Sequence, residues 1–217
     1  MVVPSIASGR YYVDWYFDFI SPYSYLALER MPWPAGVTVV PKPVLFAGLL
    51  KHWGQKGPAE IPAKRAFTYR QAQWIADRAG VPFRFPPRHP FNPVNVLRLA
   101  VALDCDWEAI RAIFRHIWAE GRDVDTPAGW QALARRLGIE DADARVADPA
   151  VKAKLRRNGE DAIAAGVFGV PSLVIDGNVF WGQDSTAMAL DYLVHPEHFG
   201  TVEMRRVATI PIGVSRV

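Results

Sequence analysis

The sequence predicts an α/β protein in which short stretches of sheet flank a long helical middle. Three observations carry this. From Val13 to Phe19 the residues alternate, with Val13, Trp15, Phe17 and Phe19 on one face and Asp14, Tyr16 and Asp18 on the other, the aromatic-rich period of two that marks a strand. From Leu45 to Ala165 apolar residues recur mostly at helical spacing. Past Gly166 come two short strands, Leu173–Ile175 and Val179–Trp181, joined by Asp176-Gly177-Asn178, a hairpin turn whose glycine can take positive φ.

Composition narrows the class. Half of the 217 residues are hydrophobic, ample for one packed core with room for a second lobe. The 25 basic residues are interspersed with 22 acidic ones and no basic run stands alone, which argues against nucleic acid as a partner. A single cysteine, Cys105, excludes an internal disulfide and a Cys-x-x-Cys redox pair. Apolar runs such as Pro43 to Leu50 are too short to span a bilayer, and the N-terminus lacks the plan of a signal peptide, so no membrane partner is expected. The expectation is a soluble, cytoplasmic, globular protein.

Residues before Tyr11 read as a loose lead-in. Ser21-Pro22 starts a helix, because serine is a preferred N-cap and proline at the first helical position loses no needed donor. That helix carries Tyr25, Leu26, Leu28 and Met31 on one side until Pro32 and Pro34 stop it. Val37–Val40 is a second strand, closed by Pro41 and Pro43; with the covered helix it suggests a parallel pair. Leu45, Leu49 and Leu50 open the helical block, Gly54-Gln55-Lys56-Gly57-Pro58 interrupts it, and Ile61–Ala79 resumes it. After a proline-rich loop, helices are expected at Asn95–Leu103, Asp106–Glu120, Thr126–Leu137 and Pro149–Ala165, with Thr126 and Asp148 as caps. Thr186–Val194 is the last amphipathic helix, and 195–217 shows no strong periodicity. Ser21 reads either as a plain cap or as a hydroxyl facing an anion at the positive end of a helix.

A βαβ unit, a helical insertion, then Val-Pro-Ser, a hairpin and a last helix resembles the thioredoxin fold with an inserted all-helical domain, the plan of DsbA-like proteins. On that plan 11–44 and 166–195 form a discontinuous thioredoxin-like domain, 45–165 the inserted helical domain, and 196–217 a C-terminal tail. Where DsbA-like proteins carry Cys-x-x-Cys, this chain has Ser21-Pro22-Tyr23-Ser24. That substitution is similar to the 2-hydroxychromene-2-carboxylate isomerases and the kappa-class glutathione transferases. Tyr16-Phe17-Asp18-Phe19-Ile20-Ser21-Pro22-Tyr23-Ser24-Tyr25-Leu26 resembles their opening signature, and Gly54–Pro58 followed by Pro62-Ala63-Lys64-Arg65 resembles their glutathione-contacting loop and its lysine. His89–Pro93, Trp118–Asp123, Phe168-Gly169-Val170-Pro171 and Trp181-Gly182-Gln183-Asp184 complete an ordered set. Two positions depart from the pattern: Gln55 stands where asparagine is usual, and Ser185 where arginine commonly follows the aspartate.

The resemblance implies glutathione as cofactor, a small aromatic carboxylate as substrate, and a homodimer. Ser21 would donate its hydroxyl to the thiolate. Pro171 would be cis, exposing the Val170 backbone to the glutathione peptide. Asp184 would accept the γ-glutamyl ammonium beside the Ser185 hydroxyl, Lys64 would meet the glycyl carboxylate, and Gln55 would add an amide contact. Tyr23, Tyr69 and, between wall and core, Phe67 and Trp74 are the aromatic candidates for the substrate site, with Arg65, Arg70 or Arg88 for its carboxylate and Asn92 beside them. The implied reaction is cis–trans isomerisation by thiolate addition, bond rotation and elimination. The alternatives are a kappa-like transferase or peroxidase and a non-catalytic binding protein. His89 and His116 do not form a metal set, so no metal is expected. A serine hydrolase is disfavoured because no Gly-x-Ser-x-Gly or obvious histidine partner accompanies Ser21.

Overall fold

The computed structural model describes residues 11–31 and 35–214. Its sheet is built from β1 (Tyr11–Phe17), β2 (Val37–Pro43), β3 (Ser172–Ile175) and β4 (Asn178–Trp181), in the order β2-β1-β3-β4. β1 and β2 are parallel with Trp15 opposite Pro41, while β3 lies antiparallel to β1 with Trp15 opposite Leu173, and β4 antiparallel to β3. A parallel pair needs a crossover, which α1 (Pro22–Arg30) supplies. The expected lead-in before Tyr11, and Pro32 and Pro34, lie outside the described residues; α1 ends ahead of those prolines, at Arg30.

β2 does not stop at Val40 but runs through both prolines that were expected to close it. The reason is register. Val44 N–H donates to the Phe17 carbonyl at 2.9 Å, so the even-numbered residues turn their polar groups to β1. Pro41 and Pro43 therefore face outward on an edge strand, where a missing N–H costs nothing. The outward Pro43 carbonyl is itself capped by Asn158 Nδ2 at 3.0 Å from a buried side chain, which closes that part of the edge.

Between β2 and β3 the described residues form helices: α2 (Phe46–His52), α3 (Pro62–Ala79), α4 (Val94–Ala102), α5 (Trp107–Phe114), α6 (Pro127–Arg136), α7 (Ala142–Ala147) and α8 (Pro149–Ala164). Thr126 and Asp148 cap α6 and α8 by accepting from Gly129 N and Ala150 N. The stretch expected as one helix from Asp106 to Glu120 changes pitch: α5 passes into a π-helical turn at Arg115–Ala119. α9 (Thr186–Val194) follows β4, and 195–214 is not featureless. A 3₁₀ turn at Pro196–Gly200 leads to α10 (Val202–Ala208), started by Thr201 and leaving no residue buried. With so few apolar side chains covered, its periodicity leaves little trace in the sequence.

One hydrophobic cluster runs from Val13, Trp15 and Phe17 of β1 through Leu97, Ile110, Phe114 and Trp118, so the core is continuous across residues 44 and 45. A smaller cluster of Tyr16, Val44, Leu49, Ala162, Val167 and Val170 covers the other face. The C-terminal half of β1, from Trp15 to Phe17, is thus buried on both faces, which the alternation alone did not require, while Tyr12 at its start is exposed.

The π-helical turn anchors the site. Trp118 is fully buried, stacks on Phe83, and donates from Nε1 to the Phe19 carbonyl at 2.8 Å, two residues before Ser21. Trp118→Ala removes that donor and a large buried ring together. It is expected to cost about 3–5 kcal/mol, read from the urea midpoint at unchanged slope, whereas a loss below about 1 kcal/mol would show the ring is not anchored as described.

Candidate functional site

β1 ends at Phe17, and the chain turns through Asp18, Phe19 and Ile20 to reach α1. Asp18 makes that turn possible. Its Oδ1 accepts from Ile20 N at 3.0 Å and its Oδ2 from Phe46 N at 2.8 Å, while its carbonyl accepts from Ser21 N at 3.1 Å. The carboxyl is fully buried. Burial pushes its pKa up to about 7, against the backbone N–H donors of Phe46, Ile20 and Phe19, which pull it down.

Ser21 is the N-cap of α1. Its Oγ accepts from Ser24 N at 3.2 Å and lies 3.5 Å from the Val170 carbonyl oxygen, the one acceptor it faces among the described residues. The Val170–Pro171 bond is cis. The flanking carbonyls are engaged elsewhere: the Ser172 hydroxyl donates to Gly169 O at 2.7 Å, and Gly182 N to Pro171 O at 2.8 Å. Gly169 lets the Trp181 indole lie close over the loop, since a Cβ there would force the ring to shift. Trp53 Nε1 donates to Val167 O at 2.9 Å and pins the same loop to the end of α2.

Ser21 and Val170 sit on a cavity of about 700 Å³. Its walls are mainly apolar, from Ile20, Phe46, Leu50, Phe91, Pro171 and Trp181, with Thr68, Gln71, His89 and Gln183 as polar points and Glu60 and Asp184 also in the lining. No lysine or arginine lines it among the described residues. His89 Nε2 is 2.9 Å from the Ile20 carbonyl, an acceptor, so Nε2 carries a proton, while the Tyr69 hydroxyl lies 2.7 Å from Nδ1 and donates to the His89 carbonyl at 2.8 Å or to that nitrogen. Burial lowers the His89 pKa, against the raising effect of the Ile20 bond, which favours the neutral imidazole.

Of the residues expected at the site, Ser21, Tyr23, Asn92, Val170, Pro171 and Asp184 line the cavity. Tyr23 donates to Gln71 Oε1 at 2.6 Å, and Asn92 Oδ1 accepts from Val94 N at 3.1 Å at the start of α4. The others stand apart. Tyr69 lies behind His89. Ser185 spends its hydroxyl on the Gly182 carbonyl at 3.0 Å, inside the turn before α9. Gln55, Lys64 and Arg65 are exposed and outside the lining, and Arg88 is paired with Asp123 at 2.9 Å. Phe67 and Trp74, weighed between wall and core, are neither: both are about two-thirds exposed, at 64% and 63%, on the outer side of α3. Asp18, His89, Gln71 and Trp181 enter without having been singled out for the site. Asp18 stood on the polar side of the strand pattern, and nothing local signals that the chain folds over it.

Two parallel strands joined by a helix that starts at the cavity, a cis-proline loop facing that helix, and a helical insertion define a thioredoxin-type scaffold. The chain belongs to the DsbA-like thioredoxin domain family, whose model matches residues 12–194, and within it to the branch of its enzyme relatives. It is 30% identical to glutathione S-transferase kappa 2 of Caenorhabditis elegans, covering 87% of this chain and 94% of that protein. It is also 30% identical to 2-hydroxychromene-2-carboxylate isomerase of Sphingobium xenophagum, covering 84% and 97%. A solved structure of a 2-hydroxychromene-2-carboxylate isomerase superposes with a TM-score of 0.70 at 22% identity, over 92% of this chain and all of that one.

The raised Asp18 pKa has a testable sign. With a folded value about 7 above an ordinary 3.8, the neutral carboxyl's stabilising effect is complete below pH 4 and is lost as pH rises to 7 and beyond. The loss is of order 4 kcal/mol at ~1.4 kcal/mol per unit. Chemical denaturation of the native protein and Asp18→Asn from pH 4 to 8 reads it as a stability difference that changes across that window. Parallel profiles would show that Asp18 does not change protonation there.

Proposed function

We propose that the protein is a glutathione-dependent cis–trans isomerase acting on 2-hydroxychromene-2-carboxylate or a related aromatic ring-cleavage product. The observation that carries this is the pairing of Ser21 Oγ with the Val170 carbonyl at the floor of an apolar cavity, on a chain without a usable thiol of its own. Cys105 does not line the cavity, and burial pushes its thiol up to about 11. A thiolate working here has to be brought in, and the donors present suit one. The Ser21 hydroxyl holds Ser24 N–H with a lone pair and directs its own hydrogen only at a distant carbonyl, so it can turn to sulfur without losing the cap. Pro22 has no N–H and those of Ser24 and Tyr25 donate to Ser21, so the positive end of α1 acts through the Tyr23 N–H and the helix dipole, which favour the same charge. Val170 offers a backbone edge to an extended peptide, and Asp184 is a carboxylate in the lining for an ammonium.

Bound glutathione would supply the nucleophilic thiolate that adds to the conjugated double bond, permits rotation about the resulting single bond, and departs by elimination. The chain's own part is to hold that charge at Ser21, to bed a flat ring among Phe46, Phe91 and Trp181, and to keep water away. Gln71, through its amide N–H, and Thr68 are the neutral donors in reach of the cavity for a substrate carboxylate, the Tyr23 hydroxyl already donating to Gln71 Oε1. In this reading Lys64 and Gln55 touch glutathione only from the rim. The same reading includes a cytoplasmic homodimer, to which the exposed Phe67 and Trp74 of α3 would contribute; sedimentation equilibrium tests the assembly.

A kappa-like transferase is the second reading, favoured by the absence of a cationic side chain among the described lining residues, which suits a neutral electrophile. Turnover of the chromene carboxylate against turnover of an aryl halide with glutathione separates the two.

Ser21→Ala is expected to raise the thiol pKa of bound glutathione and to cut turnover about 10- to 1000-fold, with a folding cost of ~1 kcal/mol. Titration of thiolate absorbance in the complex reads the first effect, and an unchanged pKa would overturn the role. Ser24→Ala is the control: its buried Oγ has no partner among the described residues, so removal should keep activity and not destabilise the fold.

A further inference from the structure

Between α9 and α10, His195, Glu197 and His198 bring their donor atoms within 4.8 Å of one another. We propose that His195, Glu197 and His198 form a surface site for a borderline divalent cation of the zinc type, with Asp191 orienting His198. The backbone dictates the arrangement. Pro196 starts a 3₁₀ turn at Pro196–Gly200, closed by His198 N donating to His195 O at 3.0 Å. In a 3₁₀ turn the side chains at i and i+3 eclipse, and the two imidazoles accordingly stack with centroids 4.8 Å apart and 26° between planes. The turn is anchored at both ends: His195 N donates to the Asp191 carbonyl at 2.7 Å, and Phe199 packs on Tyr192 and Phe180.

The polar contacts select a ligand geometry. His198 Nδ1 lies 3.1 Å from Asp191 Oδ2, so the proton resides on Nδ1 and the Nε2 lone pair is left free. A carboxylate on the second ring nitrogen is the usual support of a metal-bound histidine, fixing its tautomer and raising its basicity. Glu197 Oε1 stands 3.4 Å from His195 Nδ1 and brings an oxygen donor to the same patch. Two donors on a tetrahedral zinc at 2.0–2.1 Å are about 3.4 Å apart, so the set, spanning up to 4.8 Å, needs to close by at most about 1.4 Å. All three side chains are exposed and free to rotate that far. Two imidazoles and one carboxylate match zinc and its transition-metal neighbours rather than magnesium, which prefers oxygen. The fourth position would be water.

Titration calorimetry of the full chain with Zn²⁺ alone, after treatment with a chelator, tests this. One equivalent is expected to bind, His195→Ala and His198→Ala each weakening it at least about 10-fold, Asp191→Asn about 10- to 100-fold, and Mg²⁺ giving no heat. Melting of the metal-free variants should match the native protein, because the side chains are at the surface. Absence of binding overturns the site, and so does Zn²⁺ binding that the variants leave unchanged. Metal-free variants that melt early while binding as before would show a structural turn and no ligand set.

Discussion

Asp18 is the constraint on which the site depends. One buried carboxyl holds the N–H of Ile20 and the N–H of Phe46, two residues 26 positions apart, and so ties the turn before α1 to the start of α2. Ser21, whose N–H bonds the Asp18 carbonyl, is positioned by the same turn. Trp118 holds the Phe19 carbonyl and His89 the Ile20 carbonyl, so the approach to Ser21 is fixed residue by residue from the helical insertion. The insertion is thus part of the machinery that aims the serine, in addition to roofing the cavity.

Electrostatics give this arrangement its sense. The cavity is walled by apolar side chains and, among described residues, holds no lysine or arginine, while Asp18, Glu60 and Asp184 line it. An anion there cannot rely on a side-chain cation. What remains is the positive end of α1 and the hydroxyl at its cap, a fixed dipole field that is stronger in a low-dielectric setting than in water. Such a site suits a soft, polarisable anion such as a thiolate, which needs fewer strong donors than an oxyanion does.

The sheet, its parallel pair and the helical middle were legible because each rests on local periodicity and caps: Ser21-Pro22, Thr126-Pro127 and Asp148-Pro149 behave as their residue types dictate. The passage of β2 through Pro41 and Pro43 was not, since only pairing register tells which edge a proline faces. Among the residues that line the cavity, Ser21 could be named from its cap motif, and Val170, Pro171 and Asp184 from the resemblance to a known family. Those that depend on long-range packing could not. Asp18 acts on a residue far along the chain, His89 looks like any loop histidine until Ile20 lies beside it, and Lys64 and Arg88 give no local sign that they point away from the cavity. Short α10 was missed because it buries nothing, and α7 because its two buried residues, Ala142 and Val146, are too few to set a period.

The most direct test is a crystal structure of the protein with glutathione. The expected complex has the sulfur within hydrogen-bond reach of Ser21 Oγ at the α1 N-terminus, with the peptide running as an added strand along Val170. A sulfur lodged away from Ser21, or a peptide that makes no main-chain contact with Val170, would contradict the role given to both.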